Sequence, residues 1–265
     1  MTDASKPADY VLNDPTEAER ERLALLQSLG DPVTIHRLER TGIGRGWACM
    51  EVGAGHGSIA RWMAERVGPR GRVVAADLST QFLTGLPEPV EVRRVDIRTD
   101  ELGADAYDLI HCRTLLMHLP DPAAALRRMF TALRPGGWLV AEEADFGLHW
   151  LAGHPDAEWA NELVARQLAT FAGSMDPYLG RRLPGLVAAL GLEAFGGESN
   201  ALVGRGDEPT VEFQRRTFRS VREHFRRSGI SDADLDRQAA VFAAPQTVMF
   251  GMVTVVAAWG RKPAA

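Results

Sequence analysis

The sequence predicts an α/β protein built on a doubly wound, mostly parallel sheet, and three observations carry that prediction. Short apolar runs, "WACMEV", "RVVAAD", "AYDLIHC" and "WLVAEEAD", are bounded by turn residues and lack the polar alternation of a half-solvated strand. Segments with helical apolar spacing stand between them, as in "SIARWMAERV" and "PAAALRRMFTAL". The first strand passes into its helix through a loop with glycines at 53, 55 and 57. Strands that read as continuous apolar runs and alternate with helices form a parallel sheet covered on both faces.

The elements follow in order. Over 15–40 the residues Leu23, Leu25, Leu26, Leu29, Val33, Ile35 and Leu38 are spaced as helix faces, and "GDP" divides the stretch into two expected helices. "WACMEV" is the first strand, and "SIARWMAERV" is the helix after it, stopped by "GPRG". "RVVAAD", "VEVRRVD" and "AYDLIHC" are strands two to four. "LPDPAAALRRMFTALRPGG" is a helix with a turn at each end, and "WLVAEEAD" is strand five. After Asp145 the alternation stops. His154 to Thr170 reads as a helix, and "DPYLGRRLPGLVAALGL" as another that ends at Gly191. "LEAFGGESNALVG" reads as a strand, "TVEFQRRTFRSVREHFRRSGISDADLDRQAAVF" as two polar-faced helices, and "VMFGMVTVVAAWGRK" as a strong last strand. The expected organisation is an N-terminal helical cap over 1–45 and a core over 46–265, with helices inserted at about 150–175 and 207–242.

Composition narrows the partners. A chain of 265 residues with 45% apolar content can fill one large domain or two small ones around a sizeable core. The net charge of -5, with no long block of one sign, argues against nucleic acid. In "FQRRTFRSVREHFRR" the residues Val211, Phe213, Phe218, Val221 and Phe225 recur at helical spacing, which makes the arginines a solvated helix face. Cys49 and Cys112 lie in apolar runs and read as buried thiols in a reducing compartment; neither has metal-ligand spacing. The N-terminal stretch lacks a signal core, and no segment reaches the ~18 consecutive apolar residues of a membrane helix. The expectation is a cytoplasmic protein without metal or membrane partner; a homodimer is left open.

The loop itself is a ligand site by its chemistry. Glycines between a strand and a helix let backbone approach a ligand, and the helix start adds unpaired N–H groups. The dinucleotide fingerprint G-x-G-x-x-G fails here because Ser58 stands where its third glycine belongs. A phosphate-binding loop fails because no Gly-Lys-Ser or Gly-Lys-Thr follows. The spacing E-x-G-x-G-x-G from Glu51 resembles motif I of the class I S-adenosylmethionine-dependent methyltransferases. The resemblance continues through Asp77, "RRVDI", "YDLIHCRTLLMHLPDP" and "LRPGGWLVAEE", covering about Gly46 to Glu143. More narrowly, the chain is similar to bacterial small-molecule methyltransferases of quinone and natural-product pathways.

The resemblance implies a Rossmann-like sheet of seven strands with an antiparallel last strand, lid helices, and S-adenosylmethionine as cofactor with S-adenosylhomocysteine as product. It gives Glu51 the loop and the cofactor's ammonium, directly or through water. Gly53, Ala54 and Gly55 then admit the amino-acid and ribose portion. Asp77 accepts the ribose hydroxyls, Leu78 lies against the adenine, and Asp96 with the backbone of Ile97 reads its amino edge. A backbone carbonyl near His111 to Arg113, with Cys112 and Arg113 as the nearest candidates, receives the ammonium, and Tyr10 and Gln27 are candidates on the carboxylate side. Acceptor deprotonation needs a base at the carboxyl ends of the strands. His118 is the first candidate, because neutral imidazole suits that task near neutral pH. Glu142 and Glu143 are further candidates, with His149 and His154 beyond them in the right region. The expected reaction is methyl transfer to a small organic acceptor, oxygen first and carbon or nitrogen next. A non-methylating reaction such as cyclisation on the same fold and cofactor is the alternative, and a nicotinamide oxidoreductase is a more distant one.

Overall fold

The computed structural model describes residues 16–264, and the chain divides into two compact units. A sheet unit comprises Gly30–Asp145, Tyr178–Asn200 and the chain from Val255 onward. A helical unit comprises the chain up to Leu29, Phe146–Pro177 and Ala201–Thr254.

In the sheet unit β1 (Ala48–Val52), β2 (Arg72–Asp77), β3 (Val90–Arg94), β4 (Tyr107–Arg113) and β5 (Leu133–Ala144) run parallel in the order β3-β2-β1-β4-β5. The order reverses between β1 and β4, which opens a crevice at their carboxyl ends, the usual ligand position in such sheets. The last strand, β8 (Val248–Arg261), is antiparallel to β5, and β7 (Glu193–Arg205) pairs with β8. Helix α2 (Ser58–Val67) follows the glycine loop and buries Ile59, Ala60, Met63, Ala64 and Val67 on one stripe, in a core shared with Cys49, Val73, Leu109 and Val140. It stops at Gly68, which has φ 63° and donates its N–H to the Ala64 carbonyl. Helix α3 (Pro122–Ala132) starts where the sequence indicates: Pro122 needs no N–H partner in the first turn, and the Asp121 carboxylate accepts the Ala124 N–H at 2.8 Å.

The two helices expected over 15–40 are one helix, α1 (Glu17–Glu39), with Pro32 inside it. Proline removes one helical hydrogen bond. The turns that follow are held by burial of Thr34, Arg37 and Leu38 and by side-chain bonds from Asp31, Thr34 and Arg37 to β4 and β5. The boundary between the units falls at Leu29 and Gly30, beside the expected break.

The helical unit holds α4 (Ala157–Ala169), α6 (Pro209–Ser220), α7 (Arg222–Arg227) and α8 (Asp232–Ala243); α5 (Leu179–Ala188) belongs to the sheet unit. Three helices stand where two were expected after Gly206, because Val221 leaves helical geometry at φ -100°, ψ 9° and Gly229 turns the chain at φ 86°. Ser231 then caps α8 by accepting the Asp234 N–H. Leu163, Phe171, Val221, Phe225, Ile230 and Leu235 make this unit's own core. Each buried aromatic there contributes roughly 2–3 kcal/mol. An eighth strand, β6 (Trp150–Ala152), pairs antiparallel with the Val248–Phe250 end of β8. Three residues are too short a pattern to read from sequence.

Candidate active site

The glycine loop leaves β1 with three consecutive alternate residues in the left-handed region: Gly53 at φ 75°, Gly55 at 54° and Gly57 at 73°. Glycine adopts that region without the Cβ penalty of other residues. At Gly53 the space is needed as well, since a Cβ would meet the Leu115 side chain at 3.2–3.3 Å. A Cβ on Gly55 would meet nothing within 4 Å, so the loop is open at that residue. The N–H groups of Gly53 and Ala54 both donate to the Ala76 carbonyl, and the Gly55 N–H donates to Asp77 at 2.9 Å. The other Asp77 oxygen accepts the Ser79 N–H at 3.0 Å. Asp77 therefore ties the end of β2 to the loop while each oxygen keeps acceptor capacity. Burial raises its pKa, and the amides of Ser79, Gly55 and Leu78 oppose that.

Beneath the loop lies a buried row of ionisable side chains. Glu51 of β1 is in register with His111 of β4. His111 Nδ1 is 3.8 Å from Glu51 Oε1, and its Nε2 is 3.7 Å from Glu142 Oε1 on β5. Glu142 Oε2 accepts from Thr34 Oγ1 at 2.9 Å and from Arg37 at 3.0 Å. Arg37 continues to Glu198, and Arg113 bonds Asp31 and Thr34. Burial pushes the Glu51 carboxyl up to about 8, with Arg113 working in the opposite direction. Its Oε2 is buried without a hydrogen-bond partner. Burial lowers the His111 pKa, opposed by Glu142. Glu142 is held below its ordinary value: burial disfavours its charge but is outweighed by His111, Arg37 and Arg113.

The expected bases separate by access. Glu143 is 0% exposed, and its carboxyl accepts the Leu115, Leu116 and Met117 amides at 2.9, 2.6 and 3.3 Å. Burial pushes it up to about 8 against those bonds. Glu142 is equally buried and ion-paired with Arg37. A base must reach the proton that it removes, and here both carboxyls are buried, with their bonds directed to Thr34 and Arg37 and to the amides of residues 115–117. His118 ends the short 3-10 turn Leu116–His118 that Glu143 holds, and it is half-buried. In the helical unit, His149 is pushed down to about 3 by burial and is neutral, and His154 Nδ1 accepts the Asp156 N–H.

The other candidates fall as follows. Leu78 is 37% exposed beside Asp77, and Ile97 is buried. Asp96 carries a bidentate ion pair with Arg98, which lowers its pKa. Cys112 is buried, and burial drives its thiol well above the ordinary value, which leaves it no ionic role. The Arg113 carbonyl accepts the Thr114 hydroxyl at 2.8 Å. Thr114 has φ 50°, an outlier for a β-branched residue that marks the end of β4 as strained. Gln27 lies in the helical unit, half-buried on α1. Tyr10 lies outside the described residues.

A family model described as a methyltransferase domain matches residues 50–139, the span from β1 through the glycine loop, Asp77 and His118 into β5. Methyltransferase str3 of Strobilurus tenacellus is 27% identical over 175 residues, 65% of this chain and 62% of the relative. The ubiquinone biosynthesis O-methyltransferase of Chromobacterium violaceum is 27% identical over 177 residues, 63% of this chain and 74% of that protein. Over residues 50–139 the chain thus matches a methyltransferase domain, and the curated relatives it resembles here are methyltransferases. It spans less than two thirds of the Strobilurus protein's length. The crystal structure of the [4+2]-cyclase SpnF shares the fold of this chain at a TM-score of 0.52 with 20% identity, covering 90% of this chain and 83% of that one.

The buried row contains side chains to which sequence reasoning gave no role. His111, Thr34 and Arg37 complete the row under the loop, yet the last two come from a helix that precedes the domain match. A readable signal existed: a histidine and a glutamate each stand inside a run expected to be a fully buried strand, and buried polar groups require partners. Three arginines of α6 and α7 are matched within their own unit, Arg216 with Glu212, Arg222 with Asp232 and Arg226 with Glu223. Among the described residues no helix is long and apolar enough to cross a membrane, and no group of three or more His, Cys, Asp or Glu could hold a metal ion.

Proposed function

We propose that this chain methylates a small organic molecule with S-adenosylmethionine, on oxygen first and on carbon or nitrogen next, within natural-product or related secondary metabolism. The observation that carries the reading is the buried, unpartnered Glu51 Oε2 under a glycine loop open at Gly55, at the point where the strand order reverses. A cationic ligand that approaches through backbone fits that site, since an unpaired buried carboxyl gains most from a positive partner. When bound, the cofactor supplies a methyl group already activated on a sulfonium.

The protein's part is to bind, orient and move one proton. Glu51 faces the ammonium. Asp77 offers its remaining lone pairs to the ribose hydroxyls, with Leu78 against the base. His118 is the candidate to accept the acceptor's proton, and Glu143 positions it by fixing the backbone of Leu115 to Met117. The oxygen preference leans on the Chromobacterium relative, whose own name specifies O-methylation.

The second reading keeps the fold and cofactor but replaces methyl transfer by a reaction such as cyclisation, as in the fold neighbour SpnF. Incubation with S-adenosylmethionine and a panel of phenols, quinols, amines and carbon acids separates the two. Stoichiometric S-adenosylhomocysteine with each methylated product supports methyl transfer. A transformed acceptor without S-adenosylhomocysteine overturns it in favour of the second reading.

A further inference from the structure

The row Glu51, His111, Glu142 crosses three adjacent strands on one face of the sheet. Glu51 faces His111 in register, and Glu142 lies two residues beyond Val140, the register partner of His111. All three residues are at most 5% exposed. Glu142 Oε2 is fixed by Arg37 and Thr34, whereas both His111 nitrogens, Glu142 Oε1 and Glu51 Oε2 lack hydrogen-bond partners.

The proton count of this row is constrained. A neutral imidazole has one N–H and one lone pair. Glu142 is ionised against Arg37, so the ring N–H belongs on Nε2, facing it. The Nδ1 lone pair then faces Glu51 Oε1, an arrangement that repels unless Glu51 is a carboxylic acid whose O–H points at the ring. The surrounding charges provide no alternative partner. Arg113 is engaged by Asp31, and Arg37 by Glu142 and Glu198. Asp77 on β2 and Glu143 on β5 add only carboxyls, the Cys112 thiol is neutral, and α2 presents the Ala60 amide to Glu51. Beside Arg113, which Asp31 engages, an anion formed at Glu51 thus has two cations available, the docking group and a protonated His111, because an unpaired charge at this depth is costly.

We propose that His111 takes up the proton that Glu51 gives up when a cationic group docks on Glu51, so that the exchange stays inside the sheet. The Glu51 O–H bond breaks and an Nδ1–H bond forms, which leaves an imidazolium between two carboxylates. His111 is a positioning residue for the cofactor's ammonium, and this rests on the cofactor reading above. Its consequence is that ligand binding neither releases a proton to solvent nor weakens below the pKa of Glu51.

The test counts protons exchanged with buffer when S-adenosylhomocysteine binds, by calorimetry at pH 7 in buffers of different ionisation heat. The wild type exchanges close to none. His111→Asn, which has the bulk of the ring's near half and cannot become a cation, releases about one, and its affinity falls about tenfold for each pH unit below the Glu51 pKa. Nuclear magnetic resonance of isotopically labelled histidine in the wild type reads the same event without a variant: one buried ring passes from one protonated nitrogen to two on binding. Release of about one proton by the wild type, an unchanged ring, or equal counts in both proteins would overturn the proposal. A wild type that binds no S-adenosylhomocysteine at all overturns the cofactor reading itself.

Discussion

Replacing Glu51 by Gln should make the ligand-free protein lose less stability as the pH rises. Burial pushes the Glu51 carboxyl from an ordinary 4.5 up to about 8. Between those values the folded protein keeps a proton that the unfolded chain has released, so each pH unit favours unfolding by about 1.4 kcal/mol. The contribution is intact below 4.5 and is lost as the pH rises through about 8. Glutamine at this position keeps the shape and the neutrality and has no proton to lose. From pH 6 to pH 8 the wild type should therefore lose roughly 2 kcal/mol that Glu51→Gln retains. Glu143 is present and buried in both proteins, so its contribution cancels in the difference. Urea unfolding without ligand at three pH values across that window measures it, read as midpoints at constant slope. If the two stability curves run parallel, Glu51 is already ionised in the fold, and the reasoning from its burial is wrong.

The remaining predictions concern the loop and the turn. Asp77→Ala removes the acceptor of the Gly55 and Ser79 amides and should weaken S-adenosylhomocysteine binding by about 1–3 kcal/mol in a protein that still folds; unchanged affinity removes Asp77 from the site. Gly55→Ala should cost the fold only about 1–2 kcal/mol, the penalty of a left-handed backbone, because its Cβ meets no protein atom within 4 Å. The same methyl group projects where ligand is expected, so binding should fall far more than stability. Glu143→Ala strands three buried amides and should destabilise by about 2–5 kcal/mol at pH 6, measured by urea unfolding. His118→Ala should lower kcat on an acceptor that must lose a proton while leaving the cofactor Kd unchanged; an unchanged kcat returns His118 to packing.

The parts of the fold legible in sequence are those where one local rule decides. β1, β2, β4 and β5 are fully buried runs between turn residues, and α2 and α3 carry both an apolar stripe and a stop or cap signal, Gly68 and Asp121. The parts that were illegible depend on distant partners. α1 runs through Pro32 because Asp31, Thr34 and Arg37 bond residues of β4 and β5 about 80 to 110 positions away, which no local pattern encodes. β6 exists only as a short partner for the start of β8. The same division holds at the site. The glycine spacing is readable because a left-handed backbone at residues 53, 55 and 57 demands that residue type, and Asp77 because a carboxylate at the end of β2 can accept the loop's amides. The difference between Glu142, Glu143 and an accessible base was not, since sequence shows that a carboxyl stands at a strand end but not what it is already bonded to.

Glu51, the glycine loop and Asp77 form the site proposed for an adenosyl cofactor. Calorimetric titration of the full chain with S-adenosylmethionine, S-adenosylhomocysteine and NADH tests it most directly. Saturable, stoichiometric binding of both adenosyl ligands and none of NADH is the predicted result. Binding of NADH alone, or of none of the three, would contradict the assignment of the glycine loop and of every role built on it.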